Sequence, residues 1–428
     1  LKYLTKQYLL LSIIFNNLLK DKGLACILIV FVTENHESVY NRTERKHSMS
    51  VSTEQKQWIK ATIPALEQGG EALTTHFYKL MFSKYPVTAT FFNPAHQEKG
   101  TQPRALANAV LAYAKHIDNP AVLMNAVTLI VNKHVALGVK AEHYPIVGEC
   151  LLQAMKEVLG AAATPEIIDA WAAAYGQLAD ILINAEANLY AKQAMSTGGW
   201  EGQRAFTIAE KEQESELVTS FYLKPLDGKE IMAFKPGQYI TLHLNVNGTT
   251  VMRNYSLSDA PNGQHYRISV KREEGGVVSN HLHKHLAVGD TVQLSPPCGE
   301  FVLDDSKDPL VLITAGVGLT PAIAMLKAAA GQREIRFIHA CKNAAQHSFK
   351  NLTEQLSTQH SNITAEYIYE NQDGLLNPQT IAKNLPNNAQ VYFLGPVGFM
   401  GAVKNMLGKL GVPAERQHFE FFGPAQAI

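Results

Sequence analysis

The chain has 428 residues, 46% hydrophobic and 18% charged, which suits two or three globular domains and argues against disorder or a fibrous repeat. Its 38 basic and 38 acidic residues cancel without a Lys/Arg cluster, so neither a nucleic acid nor an anionic membrane surface is implied as a partner. The four cysteines, Cys26, Cys150, Cys298 and Cys341, lie far apart with no C-x-x-C pair. That weighs against a zinc ribbon or a cysteine-bound iron–sulfur cluster and fits a reducing compartment, here the cytoplasm.

Residues 1–48 stand apart. Two apolar runs, Tyr8 to Phe15 and Gly23 to Val32, are each shorter than the ~20 apolar residues that span a bilayer, and no small-residue cleavage site follows. Two readings stay open: an extension upstream of a start at Met49, or an amphipathic, membrane-associating extension. For residues 49–428 no membrane contact is expected.

From Met49 to about Met195 the pattern is helical. Leu106, Ala109, Val110, Tyr113 and Ile117 share one helix face, and Leu123, Val127, Ile130, His134 and Leu137 another. Glu166 to Tyr190 reads as one long helix entered through Thr164-Pro165 at the N-cap and first-turn positions. Ser196-Thr197-Gly198-Gly199 then reads as a linker.

Beyond Trp200 the period falls to two. Ile240, Leu242, Leu244 and Val246 alternate with Tyr239, Thr241, His243 and Asn245 as a half-buried strand, and Tyr266, Ile268 and Val270 alternate likewise. Short strands separated by turns predict an antiparallel barrel. From about Lys307 the apolar run Leu310-Val311-Leu312-Ile313 and the strand-like segments at 335–338, 363–368 and 391–394 alternate with helices, predicting a parallel α/β sheet. The expected domains are therefore 49–195, all-α; 196–306, an antiparallel β-barrel; and 307–428, α/β.

A histidine on the apolar stripe of a helix is by default a core or pocket-edge residue. His134, however, has Tyr144 downstream and Glu186 at the edge of a buried stripe, and a buried glutamate needs a partner. An imidazole whose outer N–H meets a carboxylate becomes a stronger metal ligand. His76-Phe77-Tyr78-Lys79-Leu80-Met81-Phe82, Phe91-Phe92-Asn93, Lys133-His134, Tyr144-Pro145-Ile146-Val147-Gly148-Glu149 and Asp169-Ala170-Trp171 are similar in type and order to the globin domain of the flavohaemoglobins.

That resemblance implies His134 as proximal ligand of a haem b iron, with Tyr144 and Glu186 as its relay. It implies Tyr78 and Gln102 as the distal pair that hydrogen-bonds oxygen. Phe92, Leu106 and Lys133 would border the haem. For Tyr78 the plain alternative is a hydroxyl capping a neighbouring carbonyl. Gln102 lies in a loop-like stretch, where the alternative is exposure to solvent.

The second half carries a matching set. Arg253-Asn254-Tyr255-Ser256 sits on a predicted strand, with Pro236-Gly237-Gln238-Tyr239 before it and Gly275-Gly276-Val277-Val278-Ser279 opening a helix after it. Together these are similar to the ferredoxin-reductase type of FAD domain. The resemblance puts Arg253 and the helix start at Gly276, Val277 and Ser279 near the FAD pyrophosphate. It puts Tyr239, Asn254, Tyr255 and Ser256 near the flavin.

Gly316-Val317-Gly318-Leu319-Thr320-Pro321 follows the buried strand and matches that family's G-x-G-x-T-P loop for NADH or NADPH. Gly395-Pro396 ends another strand at the same edge. Leu394 stands where the family usually has cysteine, so no thiol is supplied there. Near the C-terminus Glu420 and Phe422 match an acid and an aromatic that stacks on the flavin; Phe421 reads equally as a core residue.

By this resemblance NAD(P)H gives a hydride to FAD, FAD passes single electrons to haem, and oxygen at the iron converts nitric oxide to nitrate. O2 and NO would be the partners, with no protein partner required. Two alternatives remain: a haem–flavin reductase of ferric chelates, quinones or hydroperoxides, and an O2- or NO-binding globin sensor or carrier. The choice between NAD and NADP stays open: Lys342, in the stretch His339-Ala340-Cys341-Lys342-Asn343 after a strand, could meet a 2′-phosphate, but an exposed lysine there is commonplace.

Overall fold

The computed structural model describes residues 51–424; the expectation for residues 1–48 lies outside them. Ser52 opens the first helix among the described residues, α1 (Thr53–Ala61), through a capping box with Gln55. The helices α2 (Ile63–Lys84), α3 (Pro94–Glu98), α4 (Thr101–Lys115), α5 (Met124–Leu137), α6 (Tyr144–Leu159) and α7 (Pro165–Met195) follow. As the sequence predicts, Thr164 caps α7 and Pro165 takes its first position; the helix runs on past Tyr190 to bury Gln193.

Two helix faces differ from the expected stripes. In α4, Val110 and Tyr113 are buried but Ala109 is exposed, and Ile117 lies beyond the helix end. In α5 the buried line is Val127, Val131 and Val135 with Asn132 and Ala136, while Ile130 and His134 stand at its edge. The reason is that α5 turns its valine face into the cluster it shares with α7, and the histidine at the edge of that face meets Glu186 through its ring nitrogen. Residues 120–137 are, among the described residues, the one helical stretch long and apolar enough by composition to cross a membrane. Here that stretch is the support of His134.

The expected linker is a tight turn. Gly199 N donates to Ser196 O at 2.8 Å, and a Cβ on Gly199 would stand 1.9 Å from Gln193 O. Glycine is there for close approach.

Strands β1 (Arg204–Gln213), β2 (Val218–Pro225), β3 (Tyr239–Val246), β4 (Thr249–Ser256), β5 (Tyr266–Lys271) and β6 (Thr291–Leu294) make one antiparallel sheet in the order β4-β3-β6-β1-β2-β5. It curls until Leu257, just past β4, bridges Ile268 of β5. Helix α8 (Val277–His285) packs beside it. β3 and β5 were expected to be half-buried, yet both of their faces are buried. Polar residues on the second face of β3 are satisfied inside, His243 by Ser295 at 2.7 Å and Thr241 by Asn254 at 2.9 Å.

The last sheet is parallel, in the order β11-β10-β7-β8-β9. Its strands are β7 (Leu310–Ala315), β8 (Ile335–Cys341), β9 (Ile363–Tyr369), β10 (Gln390–Leu394) and β11 (Gln417–Phe419). Helices α9 (Leu319–Ala329) and α10 (Lys350–Gln359) cover one face. After α11 (Glu370–Asp373), helices α12 (Pro378–Lys383) and α13 (Val397–Lys409) cover the other. β7 is wholly buried, as its unbroken apolar run predicts. Strand order reverses between β7 and β10, so a ligand crevice belongs at their C-terminal ends.

Candidate active site

His134 lies in the last turn of α5, where its carbonyl accepts from Val139 N at 2.9 Å. Glu186, 2% exposed, comes from α7. His134 Nδ1 lies 2.7 Å from Glu186 Oε1 and 3.2 Å from the Tyr144 hydroxyl, which donates to the same Oε1 at 2.5 Å. With that oxygen as acceptor, the neutral ring carries its proton on Nδ1 and keeps the Nε2 lone pair. No described residue bonds Nε2, and the side chain is 33% exposed. Tyr144 is fixed by Tyr175, which donates to its carbonyl at 2.6 Å. Burial and the Glu186 bond hold the Tyr144 hydroxyl far above the usual tyrosine range, so it remains a donor.

Tyr78 on α2 is 5% exposed and packed among Phe77, Phe92 and Phe82, with ring centroids 4.9, 5.3 and 5.7 Å away. Gln102 Nε2 donates to its hydroxyl at 3.2 Å. Burial pushes the Tyr78 hydroxyl up to about 12, against a smaller pull from Gln102. Gln102 is not in a loop: it stands in the first turn of α4, because Gly100 takes the left-handed conformation at φ 68° and the helix starts at Thr101. The next residue, Pro103, accepts from Thr74 Oγ1 at 2.8 Å and ties α4 to α2. Phe92 and Leu106 pack half-buried on the same core.

On the barrel, the β3–β4 register sets Tyr239 opposite Ser256, Ile240 opposite Tyr255, Thr241 opposite Asn254 and Leu242 opposite Arg253. The Tyr239 hydroxyl is buried without a partner among the described residues. Arg253 donates to Met252 O at 2.7 Å and, across to the helical half, to Asn93 Oδ1 at 3.2 Å. Burial holds the Tyr255 hydroxyl above its usual range.

A cavity of about 440 Å³ opens at the start of α8, lined by Asn247, Gly275, Gly276, Val277, Asn280 and His281 among others. No side chain caps this helix, so its first-turn N–H groups are available to an anion. Ser279 Oγ accepts from Glu273 N at 3.2 Å and closes the glycine turn.

At the parallel sheet, β7 runs into a single turn at 316–318 and then α9, with Thr320 Oγ1 donating to Val317 O at 3.1 Å and Pro321 buried. Gly316 has φ 52° and nothing within 4 Å of an added Cβ, whereas a Cβ on Gly318 would stand 2.6 Å from the Leu394 carbonyl. A Cβ on Gly395 would stand 2.7 Å from the Phe399 ring. The Gly316–Pro321 and Gly395-Pro396 loops are therefore pressed together at the strand-order reversal. Leu394 is 1% exposed.

The C-terminal tail reaches back to α5. Lys133 Nζ donates to Gly423 O at 2.9 Å, which draws this lysine toward the tail. Burial pushes the Glu420 carboxyl up to about 7, with Lys133 pulling it back. Phe421 packs against the core ring of Phe419, while Phe422 is 53% exposed.

Two residues escaped the sequence reading. Asn132 on α5 and Gln193 on α7, 5% and 2% exposed, bond to the 297–300 segment that borders Tyr239. The available signal was a polar residue inside an apolar helix, which sequence alone does not separate from a surface position.

With this geometry in hand, residues 75–182 match the globin family model, 205–303 the oxidoreductase FAD-binding domain and 312–405 the oxidoreductase NAD-binding domain. The chain is 54% identical over 390 residues to a flavohemoprotein of Pseudomonas aeruginosa, covering 88% of this chain and 99% of that one. It is 46% identical over 396 residues to a flavohemoprotein of Deinococcus radiodurans, covering 88% and 98%. Among solved structures it is similar to the flavohemoglobin of Malassezia yamatoensis with bound FAD and heme, with TM-score 0.79, 28% identity and coverage of 87% of this chain and 100% of that chain.

Proposed function

The chain belongs to the flavohemoprotein family, a globin joined to FAD- and NAD-binding oxidoreductase domains, and from that premise we propose that it is a nitric oxide dioxygenase of the cytoplasm. We set its domains at 49–195, 196–306 and 307–428. When bound, the nicotinamide supplies a hydride, FAD divides it into single electrons, and the haem iron spends them on the reaction of nitric oxide with dioxygen to give nitrate.

The residues fit these groups. The fit to haem rests on His134, whose Nδ1 is engaged by Glu186 while Nε2 has no partner among the described residues. The uncapped start of α8 beside its cavity fits a pyrophosphate, and the orphaned Tyr239 hydroxyl fits a polar edge of the flavin. Tyr255 and Ser256 would lie along that flavin, Arg253 and Asn254 beside its phosphates and edge, and Phe422 with Glu420 over its open side. Gly316 to Pro321, with Gly395-Pro396, would receive NADH or NADPH.

One observation carries the reading: the His134 ring bonds at 2.7 Å to a glutamate only 2% exposed. A buried carboxylate on Nδ1 makes the imidazole a stronger electron donor, which favours oxygen chemistry over reversible storage. Tyr144 holds that carboxylate in place. Tyr78 and Gln102 are the donors we assign to oxygen: with its hydroxyl near 12, Tyr78 keeps its proton and can donate. Phe92, Leu106 and Lys133 would flank the haem.

The test is to add NADH to the aerated, haem- and flavin-loaded protein and titrate nitric oxide while following nitrate. Consumption that depends on NADH and is matched by nitrate supports the dioxygenase. Consumption no faster than with free haem would reject it and leave a haem–flavin oxidoreductase with another acceptor.

A further inference from the structure

The chain end of α5 faces two ways. His134 meets Glu186, while Asn132, two residues earlier, points into the seam with the barrel. Both ends of its amide are engaged: Nδ2 donates to Glu300 Oε1 at 2.9 Å and to Thr128 O at 3.0 Å, and Oδ1 accepts from Gly299 N at 3.0 Å. From α7, about two turns beyond Glu186, Gln193 Nε2 donates to Pro297 O and to Cys298 Sγ, each at 3.1 Å. The segment 297–300 is thus gripped by the two helices that carry the proximal histidine and its carboxylate.

The same segment is tied to the flavin strand. Tyr239 N donates to Cys298 O at 2.9 Å, and Cys298 N returns the bond to Tyr239 O at 2.8 Å. Tyr239 also shares a buried cluster with Val131, Val135, Tyr144 and Leu182 of the helical half. Two joined domains move against each other unless the contact between them forbids it. An Asn whose every donor is bonded, 5% exposed, is a costly way to fill a seam that a leucine would fill. What the amide adds is direction.

We propose that Asn132, backed by Gln193, is a positioning residue for electron passage from flavin to haem, locking the end of α5 to the segment beside Tyr239. The proposal rests on the reading of the chain as a haem–flavin oxidoreductase. In that reading each hydride from NAD(P)H brings two electrons to the flavin, and each ferric iron accepts one. The lock fixes how far apart and at what angle those two groups sit, and single-electron transfer between them weakens as that distance grows.

The test uses the loaded full chain, mixed without oxygen with excess NADH under carbon monoxide, which traps ferrous haem. Flavin bleaching and the Soret shift report the two electron transfers separately. Asn132→Asp sets a carboxylate against Glu300. It is expected to leave flavin bleaching within about twofold and slow haem reduction about tenfold or more. Adding Glu300→Gln turns the bond around, with the amide now donating to the new carboxylate, and haem reduction is expected to recover to within about threefold. Hydrogen exchange across residues 297–300 should rise in the single variant and fall back in the double.

Should Asn132→Asp fail to retain haem, Glu300→Ala breaks the same bond from the barrel side and carries the same expectation. Haem reduction at the parent rate in a variant whose 297–300 segment exchanges faster overturns the proposal, as does a double variant that stays slow. If the parent protein itself bleaches its flavin but never reduces its haem, the oxidoreductase reading falls, and this proposal with it.

Discussion

At the end of α5 the proposed chemistry rests on side chains, and each is held by another: His134 by Glu186, Glu186 by Tyr144, Tyr144 by Tyr175. At the edge of the parallel sheet the reverse holds. The groups on offer at 316–318 and 395–396 are backbone, and the side chains that would cover them are missing. A site of the first kind is lost when a side chain is removed, because its neighbours then hold nothing. A site of the second kind is lost when one is added.

The largest effects test each half of that contrast. His134→Ala is expected to abolish the Soret band and NADH-driven consumption of nitric oxide. NADH-driven reduction of ferricyanide, which needs only the flavin and nucleotide domains, should stay within about twofold. A Soret band at its parent position in this variant would mean that another residue holds the iron. Gly318→Ala should do the opposite. Its new methyl would stand 2.6 Å from the Leu394 carbonyl and 2.7 Å from Gly395 N, backbone on both sides, so the two loops must part. Overpacking of this kind costs about 1–3 kcal/mol, and the KM for NADH is expected to rise about tenfold or more with haem and flavin content unchanged. An unchanged KM would show that the loops are not the nucleotide seat.

Glu186→Gln sharpens the contrast without emptying the site. The carboxamide keeps the shape, and its oxygen can still accept from both Tyr144 and His134 as Oε1 does, but it no longer presents a charge to the ring. The expected loss is about 10–100-fold in nitric oxide turnover at full haem occupancy, the range for a ligand's hydrogen-bond partner. The haem absorbance establishes occupancy, and nitrate formation reads the rate. If turnover were unchanged, the proximal carboxylate would be structural only.

How much of this was legible beforehand follows the same division. His134 and Glu186 stand out as polar groups on or at the edge of an apolar stripe, and the family resemblance joins Tyr144 to them. The glycine loops could be read because glycine beside a buried strand has few other uses. Asn132 could not: its partners, Gly299 and Glu300, are 167 and 168 residues away, and no local period announces them. β3 misled for a related reason. Its polar residues look like a wet face, yet His243 and Thr241 are satisfied by Ser295 and Asn254, which are fixed only once the sheet curls. Gln102 reads as loop in the sequence, whereas the left-handed Gly100 before it is what starts α4.

The smallest effect comes from a half-buried carboxyl that lacks Glu186's company. Glu214, at the end of β1, is bonded by the Ser220 hydroxyl at 2.5 Å, which joins a chain through Ser269 to Ser258 at 2.7 Å a step. It lies where the barrel meets the nucleotide domain: Ser215 bonds Ser348 at 2.8 Å, and Glu216 N donates to Ala345 O at 3.0 Å. Burial pushes Glu214 up to about 7; Ser220 and Arg267 pull it back, and Glu212 and Asp259 add to the rise. The folded chain therefore holds this proton more tightly than the unfolded chain, whose glutamates release it near ~4.3. Its contribution to stability is complete below that value and is lost as pH climbs through about 7. Glu214→Gln, which carries no charge at any pH, removes that loss. Melting temperatures of the two proteins, measured from pH 5 to 8, should diverge in the variant's favour as pH rises, and a constant gap across that range would refute the assignment. Glu186→Gln is expected to cost turnover while Glu214→Gln changes only this slope, so the pair separates the carboxyl we propose to serve an iron ligand from one that serves a seam.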